Sequence, residues 1–180
     1  LKVRHYINGD SINTAYTNDE WADLSSAAYS VYDDTSGNGK IYGKLYNWYS
    51  IDDERGICPE GWHVPTDDEY MILIEYLGGE NIAGGKMKST GTIEIGDGLW
   101  YLPNEGSTNE SGFSALPGGV RHGNNGYYLS LGYVGYFWSA SEHDDQHAWQ
   151  WKMSFETLLA DRIGGSKKRG LSVRCVQDSL

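Results

Sequence analysis

The sequence has little positive charge. Its 14 Lys and Arg stand against 25 Asp and Glu, a formal net charge of -11. Nucleic-acid binding needs a basic footprint, and this chain repels phosphate backbones and anionic lipid headgroups. Both are excluded as partners. Long apolar runs are also missing. A membrane helix needs roughly 18–20 apolar residues, and the most apolar stretch, Met71 to Leu77, contains Glu75, so no membrane insertion is expected. No basic segment followed by an apolar one opens the chain at Leu1, which places any signal peptide outside it. Cysteine is scarce too. Cys58 and Cys175 are the only two, and their spacing excludes CxxC redox and zinc-ribbon patterns. One disulfide, two buried thiols or half a metal site remain open. The disulfide is the expected reading. It would close a loop worth roughly 4–5 kcal/mol in the chain-entropy model, fasten the start of the main helix to the last strand, and imply an oxidising, extracytoplasmic compartment.

What is present is a single domain, residues 1–180, with 39% hydrophobic and 22% charged residues, enough for a core of its own. Its 24 Gly, 14 Tyr and 7 Trp suit tight turns with rings packed between short elements. One helix is clear. Thr66 and Glu69 have capping-box spacing, Tyr70, Leu73, Ile74 and Leu77 follow at helical spacing, and Gly78-Gly79 stops the run. The helix is expected over about 67–77. A shorter one is expected over 19–24, capped by Asn18. Period-2 patterns predict strands at Trp149 to Phe155 and at Leu171 to Cys175. Further strands are expected within 29–32, 41–51, 112–116 and 134–139. Ser36-Gly37-Asn38-Gly39 reads as a turn, and Gly123-Asn124-Asn125-Gly126 as a hairpin tip. From Gly78 to Gly112 the pattern dissolves into a long loop region. The fold class is α+β, with helices on a mostly antiparallel sheet.

Five ordered segments carry a family resemblance: Ile41 to Tyr49 (IYGKLYNWY), Cys58 to Thr66 (CPEGWHVPT), Asn109 to Gly119 (NESGFSALPGG), Phe137 to Ser141 (FWSAS) and Gly170 to Val176 (GLSVRCV). The chain resembles the Fibrobacter succinogenes major paralogous domain family of secreted and surface proteins in Fibrobacter and Bacteroidetes relatives. That resemblance implies a C-type-lectin-like fold with a disulfide from near a helix to the last strand and a long loop region. It also implies a surface-exposed module rather than an enzyme. Family members usually begin about twenty residues earlier with a further strand, so a neighbouring chain is expected to be able to fill an open sheet edge. Formylglycine-generating oxidases share the implied fold, but they need a copper-binding cysteine pair, and both cysteines here are expected in a crosslink.

Several residues are candidates for a site. Asn104, Glu105, Asn109 and Glu110 in the long loop offer oxygen ligands for calcium, although the Glu-Pro-Asn and Trp-Asn-Asp motifs of sugar-binding C-type lectins are absent. The alternative is that Asn109 and Glu110 hydrogen-bond to the loop and hold its shape. Asp33-Asp34, Asp52-Asp53-Glu54 and Asp144-Asp145 read as solvated acidic turns, and Asp67-Asp68-Glu69 as a response to the helix dipole. His122, His143 and His147 read as loop histidines. Trp48, Trp62 and Trp138 are expected in the core. Trp100 and Tyr101 are expected to be exposed for ligand stacking, as are Tyr127, Tyr128 and the loop to Tyr136. Asp10-Ser11-Ile12 and Asp178-Ser179-Leu180 resemble a short Bacteroidetes O-glycosylation pattern. The expected function is an extracellular, non-enzymatic module for adhesion, ligand binding or display, with a protein or glycan as partner. The alternative is a self-assembling filament subunit.

Overall fold

In the computed structural model, which describes residues 1–178, short elements follow one another along the chain. They are α1 (Asn18–Asp23), β1 (Tyr29–Ser30), α2 (Ser36–Ile41), β2 (Leu45–Tyr46), β3 (Trp62–His63), α3 (Asp67–Tyr76), α4 (Glu80–Met87), β4 (Val120–Arg121), β5 (Tyr128–Leu129), β6 (Val134–Asp144), β7 (His147–Ser154), β8 (Ala160–Ser166) and β9 (Val176–Gln177). The fold is mixed helix and strand. Its sheets are small and antiparallel: β6-β7-β8 is the largest, and β1-β2, β3-β9 and β4-β5 are two-stranded.

Alternation in β6 and β7 divides the interior. Phe137 joins Trp151, Met153, Tyr70, Ile74, Met87 and Trp100 in one core. Its neighbour Trp138 joins Ala148, Tyr46, Trp48, Leu171 and Val173 in the other. Buried indoles need a partner for their N–H. Trp138 donates to Tyr46 O, Trp48 to Ser139 O, Trp151 to the Asp67 carboxylate and Trp21 to Lys168 O.

The capping box of α3 forms as its spacing predicts, with Glu69 N donating to Thr66 Oγ1 and Thr66 N donating to Glu69 Oε2. Asp67 does more than answer the helix dipole. It is buried, and it accepts from Trp151 Nε1 and pairs with Arg162, so it ties the first turn of α3 to β7 and β8. The Gly123–Gly126 segment is the tip joining β4 and β5, as expected, with Arg121 opposite Tyr128.

Other expectations are corrected. The cap of α1 is Thr17 rather than Asn18, because Thr17 and Glu20 form a reciprocal capping box one residue earlier. Residues 36–39 begin α2 rather than a turn. Asn38 Nδ2 donates to Tyr32 O, and Gly39 lies so close to Val31 that an added Cβ would stand 3.2 Å from its side chain. Local packing there overrides poor helix propensity. The long loop region contains α4, hidden by Gly84-Gly85. A Cβ on Gly84 would lie 2.0 Å from Leu159 O, so only glycine lets the helix reach the chain entering β8. Residues 112–116 form no strand; Ala115 makes a single bridge to Lys88. The stretch from Leu171 to Cys175 is likewise no continuous strand. Successive residues bridge different partners, Gly170 to Arg121, Leu171 to Tyr46 and Ser172 to Phe137. Strand β8 was not foreseen. Of the two O-glycosylation-like tripeptides, Asp178-Ser179-Leu180 ends outside the described residues.

Candidate functional site

The disulfide joins Cys58 to Cys175, 117 positions apart in sequence. It stands beside the β3–β9 pair, in which Trp62 faces Gln177 and His63 faces Val176. Trp62, expected in the core, is exposed on this seam. His63 lies between two carboxylates, with Asp178 at 2.5 Å from Nδ1 and Glu69 at 2.8 Å from Nε2. These bonds, that to Asp178 first, hold its pKa above the ordinary 6.5. A raised histidine pKa stabilises the folded chain fully below the unfolded value, and the effect fades as pH rises through the folded one. The His63 resonances are therefore expected to titrate above pH 6.5. Urea midpoints should decline across that range in the wild type, and this component should vanish in His63→Gln.

The long loop face is built from two segments. Ile93 N donates to Trp100 O, and Tyr101 N donates to Gly132 O, which seats the 92–102 segment against the 130–134 turn. Tyr101 stacks on Tyr133 with centroids 4.3 Å apart and planes at 25°. Tyr133 in turn meets Phe155 edge-on. Gly132 has φ of 81°, and a Cβ there would lie 2.6 Å from the Tyr101 ring, so glycine is what allows the stack. Tyr133 is 42% exposed, and Ile93, Ile95 and Leu102 of the 92–102 segment are exposed as well. The result is an apolar platform with two phenol edges.

Trp100 is not part of that platform, contrary to expectation. It is fully buried, donates to Ala115 O and Ser89 Oγ, and belongs to the second core. Tyr127 is exposed at the β4–β5 tip, as expected. Tyr128 packs against Tyr32 and the buried Arg121, and its hydroxyl donates to Asp34. Burial raises its pKa to about 12. Only Tyr101 of the four candidate aromatics lies in the platform. Its partner Tyr133 falls within the 127–136 loop already marked by its aromatics.

Of the four candidate calcium ligands, Asn104 is buried, with its amide nitrogen donating to Ser89 O and Gly91 O and its Oδ1 left without a partner. Asn109 clamps the turn to Ser114 with both amide atoms, the alternative role expected for it. Glu110 pairs with Lys86 instead of the loop backbone. The carbonyl of Glu105, together with those of Ser154 and Thr157, accepts from Lys88 Nζ at 2.8–2.9 Å. A buried ammonium, not foreseen from sequence, thus holds the loop where three carbonyls converge, above the Trp100 ring. Burial lowers the Lys88 pKa to about 8, so it is charged at neutral pH. Among the described residues no group of three or more His, Cys, Asp or Glu side chains is placed to hold a metal. Elsewhere, Asp53 and Asp10 pair with Arg55, while His143 and His147 flank Asp144 at the β6–β7 tip.

The description of the Fibrobacter succinogenes major domain matches residues 1–177. The chain belongs to this family. Comparison with curated proteins and with solved structures finds no match in either. The motifs of the family member have structural meaning here: Phe137-Trp138 feeds both cores, and Asn109 to Ser114 is the clamped turn. Family membership and the disulfide are compatible with a place at the cell surface, and no helix among the described residues is long and apolar enough to cross a membrane.

Proposed function

We propose that this domain is an extracellular, non-enzymatic binding module of C-type-lectin-like architecture, and that the Tyr101–Tyr133 platform takes a glycan. The observation that carries the reading is the ring stack on the long loop face, in which Tyr133 is exposed and Tyr101 half-buried. Rings held by packing offer the C–H face of a sugar an apolar surface, while phenol edges take its hydroxyls. Lys88 braces the same loop with an ammonium, so binding should not need calcium. The test is a glycan array with calcium and with chelator, followed by Tyr101→Ala/Tyr133→Ala on any hit. Calcium-independent binding weakened roughly tenfold or more by the double substitution is expected. No hit under either condition, or a hit indifferent to both tyrosines, contradicts the proposal.

A second reading, a filament subunit joined edge to edge, is supported by β8, which has only β7 beside it in its sheet. Native material seen solely as isolated particles by electron microscopy would tell against it.

A further inference from the structure

A cavity of about 380 Å³ lies on a different face, between α3, the 112–113 turn and the segment that carries Cys175. Its size is at the lower end of the roughly 300–1,000 Å³ seen for small-molecule sites. Pro65, Tyr70, Leu73, Phe113 and Val176 make most of its wall, and Arg174 is its cation. Two polar groups there stand out: a half-buried cation with donors to spare, and a buried hydroxyl without the partner that burial normally demands.

The first is Arg174. It gives one hydrogen bond, from Nη2 to Ser114 O at 2.6 Å, with its guanidinium 5.5 Å from the Phe113 ring. Among the described residues no carboxylate forms an ion pair with it, although the chain holds 25 Asp and Glu. Arg121, which is buried, also has no ion pair, but it gives three hydrogen bonds to backbone carbonyls and leaves only Nη1 without a partner. Burial lowers the pKa of Arg174 from its ordinary value, with Tyr70 as the neighbour that opposes the shift.

The second group is the Tyr70 hydroxyl, on a residue only 2% exposed, buried and with no hydrogen-bond partner. Glu69 at the rim does not supply the missing charge. Its oxygens are engaged by the Thr66 cap and by His63.

We infer that this cavity is a binding site for a small monocarboxylate with a flat apolar body. The carboxylate accepts from Arg174, whose planar fork matches it, and from the Tyr70 hydroxyl, while the body lies against Phe113, Leu73 and Pro65. One arginine in an apolar wall, with Glu69 at the mouth, favours a single negative charge over a phosphate dianion.

Cinnamate and its uncharged amide, titrated into the wild-type protein and followed by amide resonances, test the site. Cinnamate is expected to give saturable shifts at Tyr70, Phe113 and Arg174, with the amide at least about tenfold weaker, as loss of a charge-assisted hydrogen bond requires. Arg174→Met should erase that preference. Equal affinity for acid and amide, shifts confined to the Tyr101–Tyr133 face, or no saturable shift would each overturn the inference. The acid–amide comparison needs only the wild type, so it stands even if Arg174→Met does not fold.

Discussion

Replacing both Cys58 and Cys175 by alanine is expected to lower the stability by about 5 kcal/mol, the loop-closure value for a crosslink spanning 117 positions. For a chain of this size that corresponds to a fall in Tm of roughly 10–20 °C. The effect is large because little else closes the same seam. The β3–β9 ladder beside the bond has two residue pairs, and the bridges of Gly170, Leu171 and Ser172 reach three separate segments. Cys58 is also buried with Ile57 and Val64 in the first core, so alanine there leaves a small void as well. Thermal unfolding of the double variant beside the wild type measures this. A difference below about 1 kcal/mol would mean that the seam is held by something other than the crosslink.

Lys88→Met is expected to cost about 3 kcal/mol, or roughly 6–12 °C in Tm. Methionine fills much of the volume but cannot donate to the carbonyls of Glu105, Ser154 and Thr157. Each carbonyl left buried without a partner costs about 1–3 kcal/mol, and losing the burial penalty of the ammonium offsets part of the sum. The damage should spread outward, because these carbonyls belong to the long loop and the turn between β7 and β8. Hydrogen exchange should accelerate through 92–105 in the variant and stay unchanged at β1 and β2. A variant as stable as the wild type would show that the ammonium is not what holds the loop.

Local, self-sufficient patterns were the legible part of this chain. The α3 capping box, the alternation from Trp149 to Met153, and the Gly/Asn hairpin tip each carry their reason within a few residues. The Cys58–Cys175 bond was legible because two cysteines allow one intramolecular pairing. Helices α2 and α4 were not, since their glycines are explained by Val31 and Leu159, which touch them in the fold but lie outside the helices' own sequence pattern. The 170–175 segment alternates apolar with polar residues like a strand, yet Gly170 to Val173 are all buried and the chain finds a different partner at nearly every step. In the candidate site, Tyr101 was visible and Trp100 misled. Two adjacent rings in a glycine-rich segment look alike until the cores show which one is enclosed. Lys88 and Arg174 left no signal, because a buried cation satisfied by carbonyls, or a half-buried one without an ion pair, has no sequence pattern.

The disulfide-tied frame of a surface module is tested by alkylating the native protein from its own source without reduction, then mapping the Cys58 and Cys175 peptides by mass spectrometry. A single crosslinked peptide pair carrying no alkyl groups is the expected result. Both cysteines recovered as alkylated free thiols would contradict the crosslink, and with it the oxidising exterior for which this architecture is read.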